Sequence, residues 1–81
     1  MNKQEINQKL AAILVTLNEE EDAAESTIYL ALGCNIGDFE LLKDLLVKSG
    51  MVVSKSNRLS ITSLGRTLAA KINEFAKGAI Q

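Results

Sequence analysis

Apolar residues recur at helical spacing from the start of the chain. Ile6, Leu10, Ile13, Leu14 and Leu17 fall on one stripe, while Lys3, Gln4, Asn7, Gln8 and Lys9 lie off it. With about 3.6 residues per turn, such spacing places the apolar set on one face, so it predicts an amphipathic helix over about residues 3–18, with Asn18 as its stop. An acidic run follows at 19–22, then Ala23, Ala24, Glu25 and Ser26. The second helix is expected over about 23–32, with Ile28, Tyr29, Ala31 and Leu32 as core candidates. Acids near its start complement the helix dipole. Gly33 ends it, and residues 33–37 form a short turn in which Gly33, Asn35 and Gly37 can take positive φ. Asp38 is placed to cap a third helix over about 38–49. Phe39, Leu41, Leu42, Leu45 and Leu46 make its apolar face, leaving Glu40, Lys43, Asp44, Val47 and Lys48 outside. Gly50 follows as a C′ glycine.

The period then changes. Met51, Val52 and Val53 are followed by polar Ser54 and Lys55, and Leu59, Ser60, Ile61 and Thr62 alternate. With Asn57 able to adopt a left-handed conformation between them, residues 51–62 read as a β-hairpin. Helical spacing returns in Leu64, Leu68, Ile72, Phe75 and Ala79, which predicts a fourth helix over about 63–77, capped by Thr62 or Ser63. Gly65 in its first turn costs about 1 kcal/mol relative to alanine, so it is expected where another backbone comes close.

A chain of 81 residues at 47% hydrophobic is sized and composed for one globular domain. Phe39, Phe75 and Tyr29 are its aromatics, so the core is aliphatic. One cysteine, Cys34, cannot make an intrachain disulfide and fits a reducing, cytoplasmic setting. The N-terminal apolar run breaks at Thr16 and meets acids at once, unlike a signal peptide, and no stretch suits a membrane span. The net charge of −1 conceals a split. Residues 1–42 carry two lysines against eight acids, and residues 43–81 carry seven basic residues against Asp44 and Glu74. An anionic partner is therefore conceivable for the second half alone.

Catalytic parts are missing from the pattern. There is no histidine. Cys34 has no evident base beside it and reads as a small packing residue rather than a redox switch. The acidic run lacks the alternation and glycine of a calcium loop, and no phosphate loop is present. No enzyme, metal or cofactor is expected.

The order is helix, helix, turn, helix, hairpin, helix. At residues 45–52 the third helix ends in leucine, then glycine, an apolar residue and valine. At residues 59–66 the hairpin exits through Leu59, Ile61, Thr62, Gly65 and Arg66. Over about residues 5–77 the chain resembles the winged helix-turn-helix superfamily of transcription regulators. The resemblance implies a mostly α domain with a small two-stranded wing. Many members place a short strand between the first two helices, and in the Glu- and Ala-rich link here that strand is expected to be vestigial. It also implies a third helix in the major groove and a wing on the backbone or minor groove. Carried onto this chain, the DNA-contact candidates are Lys43, Lys48, Lys55, Ser56, Asn57, Arg58 and Arg66. Dimeric members pair through added helices. Here the fourth helix could serve, with Ile72, Phe75, Ala76, Ala79 and Ile80 as interface candidates for a homodimer.

The function expected first is duplex DNA binding in transcription regulation, through the third helix and the wing; the alternative is a protein-interaction module of the same fold with no DNA binding. A continuous basic strip across the third helix and wing favours DNA, and a patch broken by Asp38, Glu40 and Asp44 favours a protein partner.

Overall fold

Six large side chains lose nearly all contact with solvent: Phe39, Ile13, Leu14, Leu17, Leu42 and Leu59. They come from two helices and one strand, and the rest of the chain is arranged around them. The computed structural model describes the backbone of residues 2–80 and the side chains of residues 2–72 and 74. The elements are α1 (Lys3–Glu20), β1 (Asp22–Ala24), α2 (Glu25–Leu32), α3 (Ile36–Lys48), β2 (Val52–Lys55), β3 (Arg58–Ile61) and α4 (Ser63–Ile80). The domain is thus mostly helical, with four helices and a small antiparallel sheet.

α1 begins at Asn2, whose side-chain oxygen accepts from the Glu5 N–H at 2.8 Å. It buries Ile13, Leu14 and Leu17 and runs two residues past the expected stop at Asn18. The chain leaves it through Glu21, whose positive φ of 69° turns it sharply. That turn starts β1, which is only three residues long yet completes a sheet ladder where the sequence suggests no more than a vestigial strand. Asp22, Ala23 and Ala24 pair with Ser60, Leu59 and Arg58, so β3 is the centre of a three-stranded sheet ordered β1-β3-β2. The pairing is extended by Ile61 N–H to Glu21 C=O and Glu25 N–H to Asn57 C=O. A three-residue strand has too little length for alternation to register. Its conformation comes from filling the free edge of β3.

α3 also begins earlier than predicted. Asn35, not Asp38, is the cap: its φ of −78° and ψ of 166° are extended, and its Oδ1 accepts from the Asp38 N–H at 2.8 Å. Asp38 sits in the first turn, where its charge still suits the dipole. Asn35 therefore does not take positive φ; Gly33, at 66°, does. At its other end the helix closes as a Schellman motif, with Met51 N–H to Leu46 C=O and Gly50 N–H to Val47 C=O, both at 3.0 Å. Gly50 takes the left-handed conformation there, φ 77°.

The hairpin turn has positive φ at both Ser56 (52°) and Asn57 (62°). This is the type I′ geometry that matches strand twist; Asn57 was legible as such and Ser56 was not. β2 and β3 pair Val52 with Ile61 through Lys55 with Arg58, burying Val52 and Leu59.

Thr62 ties the sheet to α4. Its Oγ1 accepts from the Gly65 N–H at 3.1 Å and donates to the Gly50 C=O at 2.7 Å. Gly65 is thereby pressed on the chain leaving α3. A Cβ there would collide with the Met51 carbonyl oxygen and lie 2.8 Å from Ile61 Cγ1. Of the expected stripe, Leu68 and Ile72 pack on the core, whereas Leu64 is 55% exposed; Ala69, outside that stripe, is fully buried. α4 continues past residue 77 to Ile80 and packs along α1, each helix 18 residues long.

Gly65→Ala tests this packing. In an exposed helix the change stabilises by about 1 kcal/mol. Here overpacking reverses the sign, and urea unfolding is expected to show a loss of about 2 kcal/mol.

Candidate interaction face

The seven DNA-contact candidates occupy α3, the hairpin and the start of α4. Four of their five cations are engaged with carboxylates of the same chain. Lys43 lies on α3 where it reaches back to α2: its Nζ is 3.1 Å from Glu25 Oε1 and 3.0 Å from Glu40 Oε2. Lys48 pairs with Asp44 at 3.0 Å, one turn earlier on α3. Arg58 pairs with Asp22 at 3.0 Å across the β1–β3 ladder. Arg66 approaches Glu21 at 3.8 Å. Lys55 alone of these cations has no carboxylate within ion-pair distance among the described residues. It sits at the wing tip beside the exposed Ser56 and Asn57.

Glu25 is the centre of the arrangement. It opens α2, where a carboxylate suits the helix dipole. One of its oxygens accepts from Lys43 and the other from Ser54 Oγ of β2 at 2.9 Å. A single carboxylate thus connects α2, α3 and the wing. Its side chain is 15% exposed and that of Lys43 is 21% exposed, so the pair is only weakly screened by solvent. Hydrogen bonds from the Lys43 ammonium to Glu40 and Glu25 hold its pKa above the ordinary lysine value, against a smaller opposing effect of burial. The exposed pairs at Lys48 and Arg58 contribute little to stability, yet they still place a negative charge beside each cation.

Beside this cluster a groove of about 560 Å³ opens between β1, α2, α3 and the hairpin turn. Tyr29, Ile36 and Phe39 give it an apolar wall, Glu25 and Glu40 flank it, and Ser56, Asn57 and Arg58 close the wing side. Tyr29 and Phe39 meet edge to face, with ring centroids 5.7 Å apart, which fixes the Tyr29 ring. Ile36 is 58% exposed at the start of α3, and Leu41, Leu45 and Val47 are exposed farther along it. Several large apolar side chains on a helix otherwise free to be polar mark a surface suited to contact with another molecule.

The spacings Glu40–Lys43 and Asp44–Lys48 could be read as helical ion pairs from sequence alone. Glu25 could not, because it meets Lys43 across 18 positions. Nor could Ile36, which sequence analysis placed in a turn. Of the dimer candidates, Ile72 is half-buried against the core; the side chains of Phe75, Ala76, Ala79 and Ile80 lie outside the described residues. Cys34 is half-buried and packs on the core. Among the described residues no group of three or more acids or cysteines is placed to hold a metal ion, and no helix is long and apolar enough to cross a membrane. Comparison with protein-family models, curated proteins and solved structures gives no significant match.

The Lys43 cluster has a pH signature. The folded chain binds this proton more tightly than the unfolded chain. Its contribution is therefore complete below the unfolded lysine value and is lost as pH rises through the raised folded value. Urea unfolding of wild type and Lys43→Met at pH 7, 9 and 11 checks this. The variant is expected to be less stable by about 1 kcal/mol at the two lower pH values, with the difference narrowing at the highest.

Proposed function

We propose that this chain is a winged helix-turn-helix domain that binds another protein through α3, the wing and the groove between them. The order of helices, the tight α2–α3 turn and a hairpin leading into α4 support the winged-helix reading. The observation that carries the choice of partner is the pairing of cations on this face. Five carboxylates, Asp22, Glu25, Asp38, Glu40 and Asp44, stand among four cations, Lys43, Lys48, Lys55 and Arg58, and three of those cations are already in ion pairs. DNA binding draws its affinity from lysines and arginines that neutralise phosphates and release counterions. A cation held by a carboxylate must break that pair first, and the carboxylate left behind then repels the duplex. Exposed Ile36, Leu41 and Val47 instead offer apolar area of the kind a protein interface buries.

A second reading rests on the wing tip alone. Lys55, Ser56 and Asn57 project at the hairpin turn, and this is where a winged helix meets the backbone or minor groove. On that reading the domain is a transcription regulator whose wing makes the main contact with duplex DNA.

Incubation with a random-sequence duplex pool separates the two. At about 50 mM salt, where phosphate-driven binding is strong, the protein-binding reading expects no retained complex and no selected sequence. A retained complex that weakens steeply with salt, and is lost in Lys55→Ala, would establish the DNA reading instead.

A further inference from the structure

The groove beside Tyr29 carries a charge imbalance that narrows the kind of partner it can take. Glu25 and Glu40 flank it and share one ammonium, that of Lys43. On the wing side, Arg58 is matched by Asp22. Within the Glu25–Glu40–Lys43 cluster one negative charge is therefore left over, and the half-exposed Glu40 carries it next to the apolar wall of Tyr29 and Ile36. A partner's cation gains from that charge, and a phosphate is repelled by it. The volume, about 560 Å³, is in the range of sites that hold a ligand of several side-chain groups. Ile36 and Glu40 are one turn apart on α3, about 6 Å. Two alternate side chains of an extended segment are separated by roughly the same distance.

We propose that this groove receives an extended protein segment carrying an arginine or lysine next to an apolar residue. The cation lies against the outer side of the half-exposed Glu40 carboxylate, whose other oxygen Lys43 holds, and the apolar side chain rests on Tyr29 and Ile36. Arginine suits the site better than lysine, since its planar guanidinium can bond the Glu40 carboxylate and stack on the Tyr29 ring. The proposal rests on the protein-binding reading and specifies the partner's chemistry for that same face.

The test uses the full chain and a display library of random peptides about ten residues long. Enriched peptides are expected to share an arginine or lysine flanked by leucine, isoleucine or an aromatic residue. Titrating one of them into labelled protein should move the amide signals of Tyr29, Ile36, Glu40 and Asn57. Glu40 is half-exposed, so its variants are expected to keep the fold, which circular dichroism verifies. Glu40→Gln should weaken the peptide about threefold. Glu40→Lys should weaken it about tenfold, with affinity regained by a peptide whose cation is exchanged for glutamate. Ile36→Ala should weaken both peptides alike. Enrichment of acidic or uncharged peptides, shifts confined to the α1–α4 side, no enrichment, or indifference to Glu40→Lys would each overturn the proposal. None of these outcomes restores DNA binding, which the duplex pool decides separately.

Discussion

The Glu25 carboxylate sets the character of the surface. It begins α2, accepts from Lys43 of α3 and accepts from Ser54 of β2. Three elements that share little buried area at this end are joined through two oxygens. Each bond has a consequence beyond stability. The first withdraws the ammonium of α3 from solvent-borne anions. The second fixes the wing against α2, so the groove between them keeps its width. A hydrophobic residue at position 25 would leave Lys43 with Glu40 alone and Ser54 without its acceptor. Both groups would be free to turn toward a ligand, and the same backbone would present a different chemistry.

Most of the fold was legible because its signals are local. The α1 stripe, the C′ role of Gly50, the cap at Thr62 and the hairpin each follow from residues a few positions apart. Gly65 was informative for the opposite reason. A helix-weakening residue kept in a first turn implies a neighbour, and the Met51 carbonyl is that neighbour. The α4 stripe holds at Leu68 and Ile72; its first member, Leu64, lies outward beside Gly65, which docks on Met51. The β1 ladder and the start of α3 were missed because competing local choices looked equivalent. Asn35 and Asp38 are both good caps. The extended entry through Cys34 and Asn35 decides for Asn35. β1 has only three residues and depends on the β3 edge, which lies far along the chain.

The site was legible in a different sense. The sequence placed basic residues on α3 and the wing, and they are there. What it could not give is their availability. Lys48 pairs within its own helix, Arg58 pairs with Asp22 on a strand too short to be read from sequence as a paired ladder, and Lys43 pairs with a residue 18 positions away. Charge counted along a chain therefore overstates charge offered to a partner. The exposed apolar residues carry the complementary lesson. Ile36 and Leu41 read as turn and core from sequence, yet both stand at the surface of α3, where they add apolar area to a face expected to be polar.

The ammonium of Lys43 is held by this chain's own carboxylates. Nuclear magnetic resonance of the lysine side-chain ammonium groups checks this on free protein at neutral pH with increasing salt. The Lys43 ammonium is expected to stay protected from proton exchange through the salt series, while that of Lys55 exchanges rapidly throughout. A Lys43 signal that exchanges as fast as Lys55, or that loses its protection at moderate salt, would contradict it.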